Sequence, residues 1–100
     1  LAPAGSGVAP LKVAIDEARS PRLAALLVAH GADTASVDRR GTSAFCVAES
    51  KGLREVALAM ARALRDAGRW EEVERQFQTM PPPCRTFIRS VATEVLAEPL

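Results

Sequence analysis

Leu53, Val56, Ala57, Met60, Ala63, Leu64 and Ala67 recur at steps of three and four between Gly52 and Gly68. That spacing puts one apolar stripe on a helix, and a glycine on each side punctuates it. No segment of the chain shows sustained alternation of apolar and polar residues, so a β-sheet is not expected. Only 4% of residues are aromatic, and the apolar positions are rich in alanine, which favours close-packed helices. The fold class expected is all-α.

The remaining helices follow from local signals. Residues 10–18 read as a short helix with Pro10 in its first turn, broken by Arg19-Ser20-Pro21. Pro21 opens a second helix that runs to about His30, with Leu23, Leu26 and Leu27 as its apolar positions and Gly31 as its stop. A third runs from Ser43, a candidate N-cap, to about Ser50. A fifth covers about Trp70 to Met80, with Trp70, Val73 and Phe77 on one face and Glu71, Glu72, Glu74 and Arg75 on the solvated one. Pro81-Pro82-Pro83 stops it. A last helix covers about Arg85 to Leu96.

One hundred residues with thirteen Lys+Arg against twelve Asp+Glu, a formal charge of +1, describe one small domain without the basic excess of a nucleic-acid binder. No apolar run reaches the ~18 residues of a membrane span. Cys46 and Cys84 stand far apart without CxxC spacing, and a disulfide scaffold of this size would want more cysteines. Two reduced thiols are expected, and with them an intracellular location. The start at Leu1 rather than Met fits either an organellar product from which a targeting peptide has been removed or a fragment of a longer chain. The Gly/Pro/Ser-rich residues 1–8 read as a flexible lead-in.

Residues 9–14 align with residues 43–48 at an offset of 34, each opening a short helix that a break and a second helix follow. Between them stand Leu26, Leu27, Gly31, Ala32 and Asp33, then Asp38 and Gly41. After these come Ser43, Ala44, Phe45, Cys46, Ala48 and Gly52. This pattern resembles the ankyrin repeat over about residues 9–67. The family's Thr position is held here by Ala9 or Ser43, and its His position by Lys12 or Cys46, so the repeats are degenerate. The resemblance implies a stack of helix pairs with residues 68–100 as a C-terminal helical cap. It also implies a concave partner-binding surface with Arg39, Arg40 and Thr42 at the turn tip and Ser50 and Lys51 at the end of the short helix. Arginine is enriched in interface hot spots, which makes Arg39 and Arg40 the expected anchors.

The C-terminal third carries two weaker resemblances. Gly68, Glu71, Glu72, Phe77 and Met80 are similar to one pentatricopeptide repeat, which implies RNA binding. Thr79, Met80, Cys84 and Ile88 resemble the first half of a SOCS box, and Met80, Pro81 and Ile88 an F-box, which imply docking to ubiquitin-ligase adaptors.

No catalytic constellation is legible. His30 is the sole histidine and sits at a helix end, where the dipole favours it. No His/Cys cluster has metal-ligand spacing, and no Gly-rich phosphate loop accompanies Asp38 and Gly41. The function expected is a non-catalytic protein-interaction module, a small accessory subunit of a larger assembly, without cofactor or metal.

Overall fold

The computed structural model describes residues 10–35 and 42–98. The lead-in at residues 1–8 and the turn-tip residues Asp38, Arg39, Arg40 and Gly41 lie outside the described residues. Within them the chain is all-helical: α1 (Pro10–Val13) passes into a π-helical turn (Ala14–Ala18), followed by α2 (Pro21–Ala29), α3 (Ala44–Ser50), α4 (Arg54–Asp66), α5 (Trp70–Phe77) and α6 (Pro82–Ala97). None of these is long and apolar enough to cross a membrane.

Local chemistry sets the helix ends. Ser20 and Ser43 cap α2 and α3, their hydroxyl oxygens accepting from the Leu23 and Cys46 amides at 3.1 and 3.2 Å. α2, α3 and α4 all finish in the same way. At the end of α3, the Gly52 amide donates to the Glu49 carbonyl and the Leu53 amide to that of Ala48, with Gly52 at φ +69°. At the end of α4, Gly68 and Arg69 repeat the pattern on Arg65 and Leu64, with Gly68 at φ +73°. These are Schellman closures, which require a left-handed residue after the helix. Arg19 ends the π-helical turn at φ 48°, its amide reaching back to the Ala14 carbonyl.

The triple proline works opposite to expectation. Pro81 is the N-cap of α6, and Pro82 and Pro83 occupy its first turn. Proline lacks only the N–H groups that a first turn leaves unbonded anyway, so the run opens a helix rather than closing one. α5 stops earlier than expected, at Phe77.

α2 packs against α4, and α4 in turn against α6. Leu11, Ile15, Val28, Phe45, Met60, Leu64, Ile88 and Val91 form the centre of one core. α2 buries Ala24 and Val28, not Leu23 and Leu26, which are exposed, and Leu27 is half-buried. Ala24, Ala57 and Ala61 are all fully buried, so α2 and α4 meet through small side chains. Leu26 lies about 200° around the helix from Ala24 and is left outside.

Cys46 and Cys84 form a disulfide with their Cα atoms 5.3 Å apart, correcting the expectation of two reduced thiols. α3 packs on α6, which brings together two residues 38 apart in sequence. A single staple needs only two cysteines. Closing a loop of that length contributes about 4 kcal/mol by chain-entropy arithmetic.

Polar joints finish the frame. Arg69 donates Nη1 to the Val28 carbonyl at 2.6 Å and Nη2 to that of Ala32 at 3.0 Å, while Glu72 accepts from Nε at 2.6 Å. The guanidinium thus adds a second donor to the Val28 carbonyl, which already accepts the Gly31 amide at 3.0 Å, and supplies one to the Ala32 carbonyl just beyond α2. Gln76 and Thr34, both buried, join at 2.7 Å from Nε2 to Oγ1. Glu98 takes Arg62 on both oxygens and Arg65 on one, fastening the end of α6 to α4.

Candidate interaction surface

Of the residues expected to bind a partner, Thr42, Ser50 and Lys51 are described, and they stand at the two ends of α3. Thr42 is half-buried immediately before the N-cap of α3, whereas Ser50 and Lys51 lie at that helix's other end, roughly 10 Å away by helical rise. The Ser50 hydroxyl donates to the Val47 carbonyl at 2.9 Å. The Lys51 ammonium lies 3.0 Å from Asp16 Oδ1, and Lys12 pairs with the same carboxylate. Hydrogen bonds from Lys12, then Lys51, hold the Asp16 carboxyl below its ordinary range against the opposing effect of desolvation. Ser50 and Lys51 are therefore engaged in holding the end of α3.

Three concavities stand out on the described surface. The first, about 540 Å³, lies between residues 31–35 and α5, and Asp33, Arg69, Glu72, Gln76 and Thr79 are among its lining residues. Arg69 and Glu72 are already joined to each other there, and the buried Gln76 Oε1 accepts no hydrogen bond. The second, about 750 Å³, is a shallow apolar groove between α2 and α4, where Ala25, Leu26, Ala59 and Ala63 form the walls. Its charged rim holds Arg62, which is committed to Glu98.

The third lies between α5 and α6 and measures about 340 Å³. Trp70, Val73, Phe77, Ile88, Ala92 and Leu96 line it, with Glu74 and Arg89 at its edges. Val73 and Ile88 are buried, Trp70 and Phe77 half-buried, and Leu96 is 56% exposed. The α5 stripe of Trp70, Val73 and Phe77 was legible in the sequence; its partial exposure was not, because it depends on how far α6 covers it.

Two guanidinium groups gather on Phe77, that of Arg89 on the groove lining and that of Arg85 next to it on the same ring. Arg85 and Arg89 lie 5.6 and 5.5 Å from the centroid of the Phe77 ring. Neither has a carboxylate within ion-pairing distance among the described residues. Arg85 gives Nη2 to the Met80 carbonyl at 3.1 Å, and its buried Nε has no acceptor. Like charges four apart on a helix repel, and contact with the ring's negative face offsets that repulsion. Sequence reasoning passed over this pair. Its signal was two arginines at i and i+4 with no acidic residue three or four positions from either on α6.

Chemistry of other kinds has less to work with. Both cysteines are in the disulfide, and His30 is exposed at the C-cap of α2. Among the described residues no group of three or more His, Cys, Asp or Glu side chains converges to hold a metal ion.

No family model matches the chain, and neither a curated protein nor a solved structure matches it.

Proposed function

We propose that this chain is a non-catalytic protein-interaction module, an ankyrin-like stack of helix pairs that docks as a small accessory subunit onto another protein or larger assembly. The observation that supports this reading is the α5–α6 groove. There a largely exposed Leu96 and two half-buried aromatic side chains border two guanidinium groups without acidic partners. Apolar surface of that kind, rimmed by charge, gains free energy when another protein covers it. The ankyrin-like arrangement rests on the paired short helices and their glycine closures, and the cap formed by α5 and α6 is then the end at which the partner sits. The Cys46–Cys84 bond favours an oxidising compartment, such as an organelle lumen, over the reducing cytosol.

The test is the size of the native species. Size-exclusion chromatography with mass measurement of an extract in which the chain is expressed naturally should place it in a species well above the mass the same protein shows after denaturation. A native species no heavier than the denatured protein, with no cross-linked neighbour at residues of α5 or α6, overturns the subunit reading.

A further inference from the structure

The α5–α6 groove has the chemistry to choose its occupant. Its floor is apolar, formed by Val73, Phe77, Ile88 and Ala92, and it is open at Leu96. At the Phe77 end stand the Arg85 and Arg89 guanidinium groups, uncompensated by any described carboxylate. The one acidic group on the lining, Glu74, is on α5. We propose that this groove receives an acidic amphipathic helix of a partner protein, with the apolar stripe of the helix on Trp70, Phe77 and Leu96 and a carboxylate between Arg85 and Arg89.

Charge and shape converge on this occupant. A helix laid in an apolar groove engages it through side chains spaced three and four apart. Guanidinium groups pair with carboxylates through directed, charge-assisted hydrogen bonds. Holding both guanidinium groups on one aromatic ring positions them before binding, which lowers the ordering cost of pairing. Glu74 opposes a second carboxylate at its own edge, so the acidic residue must lie at the α6 side. The same Glu74, with Glu71 one turn earlier on α5, disfavours a continuous polyanion such as RNA. The Phe77 face that a base would need is already attended by guanidinium groups. This inference rests on the interaction-module reading and adds the chemistry of the partner to it.

Trp70 is the only tryptophan of the chain and lines the groove, so its fluorescence reports occupancy directly. The intact oxidised protein is titrated with three probes: a helical Leu/Ala peptide carrying two glutamates beside its apolar stripe, the same peptide with glutamines, and a single-stranded RNA oligonucleotide. The acidic peptide should shift Trp70 emission to the blue and bind at least tenfold more tightly than the glutamine peptide, with the difference shrinking as salt rises. Arg89→Gln, an exposed position, should abolish that preference, and Leu96→Asp should weaken both peptides. Equal binding of the two peptides overturns the acidic-partner inference but leaves the module reading standing. Binding of RNA in place of peptide, or no response of Trp70 to any probe, also overturns it. The module reading is judged separately, by the native mass.

Discussion

Arg69 Nη1 and the Val28 carbonyl oxygen lie 2.6 Å apart across 41 residues of sequence, joining the last turn of α2 to the residue that opens α5. The same guanidinium holds the Ala32 carbonyl and Glu72. One side chain thereby ties the exit of the second helix to the C-terminal cap. Arg69→Ala should destabilise the fold by about 1–3 kcal/mol, because the half-buried Ala32 carbonyl loses its donor and the tie between α2 and α5 is cut, although the Val28 carbonyl keeps the Gly31 amide. Urea denaturation followed by far-UV circular dichroism checks this. Arg69→Lys should recover little, since one ammonium cannot reproduce a planar fork reaching two carbonyls and a carboxylate. Full recovery by lysine would mean that charge, not geometry, does the holding.

The disulfide predicts both a chemical and a thermodynamic result. Without reductant, the native protein should take up no thiol-specific alkylating reagent; after reduction in denaturant it should take up two equivalents, one each at Cys46 and Cys84. The Cys46→Ala/Cys84→Ala variant should lose about 2–4 kcal/mol, the range for removing such a cross-link. Unchanged midpoints in the presence and absence of reductant would contradict the stabilising role.

Gly52 isolates a backbone effect. Its φ is +69°, and a Cβ placed there meets nothing within 4 Å. Gly52→Ala should therefore cost about 1 kcal/mol through left-handed backbone strain alone, with a fall in melting temperature of roughly 4–8 °C for a domain this small. Gly52→Asn should cost less, because asparagine tolerates that conformation. Thermal melts of the two variants decide it.

Acid should loosen the end of α6. Hydrogen bonding from Arg62 foremost, and then Arg65, holds the Glu98 carboxyl below its ordinary value of 4.5, against some desolvation. The folded value lies below the unfolded one, so the stabilising contribution is complete above about pH 4.5 and disappears as pH falls through the folded value. Glu98→Gln should be less stable than wild type at pH 7, and the gap should close on acidification. Melting temperatures measured from pH 7 to pH 3 check the sign. The effect is small, since these groups remain partly open to solvent.

Local signals placed the helices but not their burial. Ser43, Gly52 and Gly68 were identifiable as helix boundaries because the bonds they make reach residues only three to five positions away. On α4 the apolar stripe named most of the buried face, since Val56, Ala57, Met60 and Leu64 enter the core, although Leu53 and Ala63 are half-buried, Ala67 is exposed, and Leu58 and Ala61 are buried without having been on the stripe. On α2 the same reasoning chose Leu23 and Leu26, which are exposed, over Ala24. Hydrophobicity favours the larger side chain, whereas the close approach to α4 favours the smaller. The candidate surface shows the same division: the Trp70, Val73, Phe77 stripe was visible, while the guanidinium pair on Phe77 depends on how α6 meets α5.

From the order of residues alone follow the helical composition and most helix ends, because capping and periodicity are satisfied within a few residues of chain. Tertiary packing alone decided the Cys46–Cys84 bond, the Arg69 tie to Val28, the Gln76–Thr34 contact and the groove beside Leu96. The three contacts join groups 38 to 42 residues apart and the groove lies between two helices, so their distances are set only when one helix settles against another.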